Sequence, residues 1–197
     1  MSSRKSSSSA KSAGAKSGKS RRLTSSSGDS IGSGRKKLLA DAMLGSVARK
    51  LRIFGFDTAY VAHTDDDYVL KMATEQGRII LTADKEFFKR LVSRGADGIL
   101  VEGASELADL EHILARLGVK HVDVDLGSRC AACNGLLEQR APAQVSVPEA
   151  VAGSKEEFYQ CADCGKVYWD GGHVKRLRAL AATLERRLAA RPAASKG

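Results

Sequence analysis

Cysteine is missing from most of this 197-residue chain: Cys130, Cys133, Cys161 and Cys164 are the only four. A set confined to one stretch and arranged as two C-x-x-C pairs excludes a secreted disulfide framework and points to a metal in a reducing, intracellular setting. Long apolar runs are lacking as well. No segment approaches the roughly 20 residues that cross a bilayer, so the reading is a soluble protein with no membrane partner. Acids are nearly absent from the first 35 residues, where Asp29 stands alone against eight Lys and Arg side chains. That segment carries +7 of the formal net charge of +9, leaving about +2 for the rest of the chain.

The same segment, MSSRKSSSSAKSAGAKSGKSRRLTSSSGDSIGSGR, has almost no large apolar residue. It cannot bury enough surface to offset the entropy of ordering, so residues 1–35 are expected to be a disordered basic tail. With no continuous apolar stretch it does not read as a secretory signal. Two roles stay open for it: an arm that neutralises nucleic-acid phosphates, or a solubility tail.

From residue 36 the pattern changes. KKLLAD (36–41) reads as a strand, and Leu44, Val47, Ala48, Leu51 and Phe54 then recur at helical spacing until Gly55. TAYVA (58–62), RIILTAD (78–84) and GILVEG (98–103) read as further strands. Residues 66–77, 85–95 and 105–118 read as the helices that follow them. Strands joined by helices of this length pair in parallel, and their continuous apolar character is expected when helices cover both sheet faces. The body of the chain is therefore an α/β domain with a parallel sheet flanked by helices.

Ligands of such sheets bind beyond the carboxyl ends of the strands. The first strand ends in Asp41, the second is followed by Asp65, Asp66 and Asp67, the third ends in Asp84 and the fourth in Glu102. Each acid alone is explained as a helix cap. Several at one edge repel one another, and a hard divalent cation, Mg²⁺ or Mn²⁺, is the usual compensation. Phosphodiester hydrolysis is the chemistry that uses this arrangement.

The two C-x-x-C pairs suit a tetrahedral Cys₄ zinc in which all four positions are filled, so the ion is structural. The intervening segment, with Pro142, Pro148 and Gly153, is a ribbon that needs the ion to fold. Tyr159, Tyr168 and Trp169, interleaved with Lys166, His173, Lys175, Arg176 and Arg178, fit either base stacking and phosphate contact or the packing of a small sheet. The helix VKRLRALAATLERRLAA closes the chain, with Leu177, Leu180 and Leu184 facing the domain.

LLADAMLGSVARKLRIFGFDT, DDDYVLKMATEQGRIILTADKEF, SRCAACNGLL and EFYQCADCGKVYWDGGHVKRL, in that order, resemble the PIN-like ribonuclease family called the Mut-seven C-terminal RNase domain. The resemblance runs from about Lys37 to about Leu180 and implies a metal-dependent nuclease. It assigns Asp41, Asp66 and Asp84 as catalytic metal ligands, with Thr82 as partner of Asp84 in the T-x-D motif. The chain departs from the family at Ala83, where Arg is frequent, and at Lys50, where an aromatic is frequent. Glu102 is a fourth acid by position only.

The domain reading is a tail (1–35), a PIN-like α/β domain (36–125), a Cys₄ zinc ribbon (126–180), and a C-terminal helix end and tail (181–197). The expected activity is hydrolysis of RNA in the cytoplasm with catalytic Mg²⁺ or Mn²⁺ and structural zinc. Arg49, Arg52, Lys85 and Thr82 are the expected substrate contacts, and the ribbon is expected to aid RNA binding. The rival is a non-catalytic module that binds RNA, a ribosome or another ribonucleoprotein, in which the acids are caps.

Overall fold

Leu38, Leu39 and Ala40 show why the strands read as unbroken apolar runs. Leu38 and Ala40 join one core and Leu39 joins another, on opposite faces of the same strand. Ile79 and Leu81 repeat the first pattern and Ile80 the second. Both faces are covered, so both parities at the centres of these strands are apolar.

A computed structural model describes residues 36–62 and 65–191. The expected basic tail lies outside the described residues. The α/β part comprises β1 (Lys37–Ala40), α1 (Gly45–Ile53), β2 (Thr58–Tyr60), α2 (Asp66–Gln76), β3 (Arg78–Thr82), α3 (Lys85–Ser93), β4 (Gly98–Leu100) and α4 (Glu106–Arg116). All four strands are parallel, in the order β2-β1-β3-β4. In register, Ala40 lies opposite Tyr60 and Leu81, and Thr82 opposite Leu100, so the residues that follow these positions share one edge.

A turn that the periodicity does not show precedes the first helix. Asp41 caps a 3₁₀ turn over Ala42–Leu44, and α1 follows from Gly45. Gly77 ends α2 in the left-handed conformation (φ 61°), which glycine adopts without steric cost.

The second part is an antiparallel sheet of β5 (Leu137–Arg140), β6 (Phe158–Cys161) and β7 (Val167–Tyr168), with a short helix α5 (Glu149–Ala152) in the connection between β5 and β6. It is followed by α6 (Gly172–Ala190), which runs without a break across residue 180. Ala181 and Leu184 of α6 belong to the same buried cluster as Leu110, Ile113 and Leu114 of α4, with Leu180 and Leu188 packed against it. The terminal helix is thus part of the α/β core. Among the described residues no helix is long and apolar enough to cross a membrane.

Candidate functional site

Asp41, Asp66 and Asp84, which follow three of the four strands, line one cavity. Its volume is about 160 Å³ and it is lined by Asp41, Ala42, Met43, Val61, Asp66, Val69, Asp84 and Phe87. Each acid arrives from a different strand–helix junction, and each has a local reason to be there. Asp41 caps the 3₁₀ turn, its Oδ1 accepting from the Met43 N–H at 3.1 Å. Asp84 caps α3, its Oδ1 accepting from the N–H groups of Glu86 (2.8 Å) and Phe87 (3.0 Å). Asp66 opens α2, behind the cap Asp65, and pairs with Arg90 of α3.

Thr82 joins two of them. It is completely buried at the end of β3. Its hydroxyl donates to Asp41 Oδ2 and accepts from the Asp84 N–H at 3.0 Å. Thr82 therefore positions the acids and presents nothing to a substrate, which corrects its expected place among the substrate contacts. Arg49, Arg52, Lys85 and Glu102 do not line the cavity. Arg49, Lys85 and Glu102 are exposed.

Arg52 has a different task. It is only 4% exposed, and burial holds its guanidinium below the ordinary arginine range. Its Nε donates to the Thr58 carbonyl at 2.8 Å, and Nη1 to the carbonyls of Ala131 (3.1 Å) and Ala132 (2.9 Å). Those two carbonyls belong to the turn between Cys130 and Cys133, so Arg52 clamps that turn to α1 and β2. A guanidinium spent on three carbonyls is not free for phosphate, a correction to its expected role in substrate binding.

The cysteine turns repeat one construction. The Asn134 N–H donates to the Cys130 carbonyl (2.9 Å) as the Gly165 N–H does to Cys161 (3.0 Å), and Cys130 N–H reaches Gly135 as Cys161 N–H reaches Lys166. The residue after each second cysteine has positive φ, 74° at Asn134 and 71° at Gly165. Asparagine tolerates this conformation better than other side chains, and here it has a further use. Its Oδ1 accepts from the Thr58 N–H (2.9 Å) and its Nδ2 donates to Asp57 (2.8 Å).

Asp57 also holds Arg78 (2.7 Å) and Arg129 (3.4 Å). Burial would raise its pKa, but the hydrogen bonds from Arg78 and Asn134 and the two positive charges outweigh this and hold the carboxyl below its usual range. The first knuckle is thereby tied to the amino ends of β2 and β3, the edge opposite the aspartate cavity.

The four cysteine sulfurs all lie within 4.8 Å of one another. Cys130 and Cys164 are 3.6 Å apart, and Cys133 and Cys161 are 3.4 Å apart. A tetrahedron with metal–sulfur bonds of about 2.3 Å has edges of about 3.8 Å, whereas a disulfide requires about 2.05 Å. The donors fit a zinc ion. At Gly135 a Cβ would stand 2.9 Å from Cys161 Sγ and 2.3 Å from the Asp163 carboxylate, so glycine is what lets the knuckles close on each other.

Burial raises the Cys130 thiol, but hydrogen bonds from the Tyr168 hydroxyl and the backbone of Cys133 and Ala132 bring it down to about 6, while burial pushes Cys133 up to about 12. Among the described residues, this is the group of three or more possible metal ligands drawn together so closely, and the carboxylates of Asp41, Asp66 and Asp84 are not.

Two of the ribbon aromatics, Tyr168 and Trp169, have partners within the ribbon. Trp169 lies against buried Phe158 with ring centroids 6.2 Å apart, and the Tyr168 hydroxyl is 3.1 Å from Cys130 Sγ. Lys166, Lys175 and Arg176 remain exposed, whereas Arg178 pairs with Asp170 at 2.8 Å.

Asp57, Arg90, Asp109 and Asn134 were not singled out from the sequence. A strand-end or cap pattern flags Asp41 and Asp84, but Asp57, Arg90 and Asn134 are defined by partners distant in sequence, and Asp109 by its burial. Asp109 of α4 is 7% exposed and accepts from the Gly103 N–H at 3.1 Å. Burial raises its pKa, with Glu102 and Glu106 adding to the effect.

A four-stranded parallel α/β layer followed by a Cys₄ ribbon defines the class of protein. Residues 36–181 match the Mut7-C RNAse domain family, and the chain belongs to it. It is also 23% identical to a human protein described as exonuclease mut-7 homolog, over 72% of this chain and 25% of that protein. The chain thus spans a quarter of that relative's length. No solved structure matches it.

Proposed function

We propose that the chain is a PIN-like, metal-dependent ribonuclease that hydrolyses RNA phosphodiester bonds at the Asp41–Asp66–Asp84 cavity. The observation that carries this is convergence: three acids from three separate strand–helix junctions line one cavity. The register of adjacent parallel strands brings Asp41 and Asp84 to one edge, and Asp66 reaches the same cavity from α2. The RNAse-domain family of the chain and the exonuclease description of its human relative support the same chemistry.

The donor set is hard carboxylate oxygen, which fits Mg²⁺ or Mn²⁺. Bound there, such an ion supplies positive charge to the phosphoryl oxygens and lowers the pKa of water. The chain's own part is orientation. Thr82 fixes the Asp41 carboxylate and the Asp84 backbone, and the first turn of α3 fixes the Asp84 side chain. Val61, Val69 and Phe87 belong to the apolar part of the cavity lining. Zinc in the cysteine cluster would hold the ribbon, with all four of its positions filled. Lys166 of the ribbon and Lys175 and Arg176 of α6 are solvent-facing cations for contact with the RNA backbone.

Asp84→Asn tests the reading cleanly. Asparagine caps helices as well as aspartate does, so the bonds to Glu86 and Phe87 survive while the charge is lost. The variant is expected to keep its fold and zinc and to lose at least about a hundredfold in RNA cleavage under Mg²⁺ or Mn²⁺ titration. Cleavage at the parent rate would refute the proposal. Undiminished RNA affinity with no cleavage by the parent at any metal concentration would favour a non-catalytic RNA- or ribosome-binding module instead.

A further inference from the structure

Arg90 is a cation placed against one acid of the cavity, Asp66. It projects from α3 one turn beyond Phe87 and touches two residues of the cavity wall. Its guanidinium pairs with Asp66 and lies over the Phe87 ring, 5.8 Å from the centroid. Helical side chains lean toward the helix N-terminus, which here is the end capped by Asp84. The pair is well exposed, with side-chain accessibilities of 56% for Arg90 and 40% for Asp66. An exposed ion pair is weak and easily exchanged.

Charge decides what such a group can do. Three carboxylates repel a phosphodiester, and one divalent cation leaves them one charge short of neutrality. A single guanidinium supplies that charge. Arginine's planar fork also matches two phosphate oxygens at once.

We propose that Arg90 is an exchangeable substrate-binding residue, paired with Asp66 and released to a phosphate of single-stranded nucleic acid when a divalent cation takes Asp66. The inference rests on the nuclease reading above. It gives Arg90 opposite effects on the two ligands: it competes with the cation and attracts the phosphate. A purely structural Arg90 would not separate them.

The test uses the full zinc-loaded chain and its Arg90→Ala, Arg90→Lys and Arg94→Ala variants. Mn²⁺ affinity is read by electron paramagnetic resonance. Affinity for a short 2′-O-methyl oligonucleotide with Mn²⁺ present is read by fluorescence anisotropy. Arg94 pairs with Asp67 at 2.5 Å, and Asp67 does not line the cavity, so Arg94→Ala controls for loss of one nearby positive charge.

Arg90→Ala is expected to bind Mn²⁺ about two- to fivefold more tightly and the oligonucleotide about tenfold more weakly. Arg90→Lys is expected to recover oligonucleotide affinity to within about threefold of the parent, because the charge remains and the fork is lost. Arg94→Ala is expected to move neither constant by more than about twofold. Two affinities that shift in the same direction, or stay unchanged, in Arg90→Ala would overturn the inference, as would equal effects from Arg94→Ala. A parent chain that binds Mn²⁺ and cleaves RNA while Arg90→Ala behaves like it removes this inference alone. A parent that neither binds Mn²⁺ nor cleaves removes the nuclease reading and the inference together.

Discussion

The Thr82 hydroxyl donates to Asp41 Oδ2 from a fully buried position at the end of β3. The same oxygen accepts the Asp84 N–H, so one side chain sets the separation of two cavity acids. Thr82→Val keeps the shape of the side chain and removes both interactions. It is expected to lower kcat/KM for RNA by about ten- to a hundredfold, while Thr82→Ser retains most of the activity. Steady-state cleavage assays with Mg²⁺ check both variants.

Arg52 joins the α/β part to the first cysteine turn through three carbonyls. Arg52→Ala leaves those carbonyls without their donor and is expected to destabilise the zinc-loaded chain by about 2–4 kcal/mol in urea titrations. Because the role is structural, the Mn²⁺ dependence of cleavage by the folded fraction should stay unchanged. Arg52→Lys should restore little, since an ammonium cannot serve carbonyls on both β2 and the knuckle with the geometry of a guanidinium fork.

Zinc removal should be felt beyond the ribbon. The Thr58 N–H, at the start of β2, is held by Asn134 of the first knuckle. The parent is expected to carry one zinc per chain by atomic absorption. Cys161→Ser is expected to lose that zinc and to lower Tm by about 10 °C or more. Hydrogen exchange should then show loss of protection at Thr58, although Thr58 lies in the α/β part. Retained protection would mean that the knuckle holds its shape without the ion.

Asp109 should act against stability at neutral pH. Burial raises its pKa, so the folded chain holds the proton more tightly than the unfolded chain does. A raised carboxyl pKa means a cost present at neutral pH that is relieved as pH falls through the folded pKa. Asp109→Asn retains an acceptor for Gly103 and removes the charge. Its Tm is expected to exceed that of the parent by about 1–4 °C at pH 7 and to approach it near pH 4. Calorimetry across that range checks the sign.

Much of this was legible in the sequence because it is local or periodic. The alternation of apolar runs and helical stripes showed the four strands and their parallel direction, while their order in the sheet came from the structure. Asp41 and Asp84 were visible as acids ending strands, and the paired C-x-x-C spacing gave the cysteine cluster. Arg52 was misread for a physical reason: at three residues from Arg49 on one helix it looks like part of a solvated basic face. Its partners, Ala131 and Ala132, come from a turn far along the chain. Arg90 and Asn134 were hidden in the same way, since a helix surface arginine and a turn asparagine acquire their meaning only from tertiary neighbours. The 3₁₀ turn at Ala42–Leu44 escaped because the apolar spacing of Leu44 and Val47 suits either kind of turn.

The most direct test of the central claim is anomalous scattering from crystals of the zinc-loaded chain grown with Mn²⁺. The account predicts a manganese peak in the aspartate cavity, with oxygens of Asp41, Asp66 and Asp84 each about 2.0–2.3 Å from it or joined to it through one water, and Arg90 turned away from Asp66. A chain that cleaves RNA with Mn²⁺ while the metal lies elsewhere, and the cavity shows no peak, would contradict it.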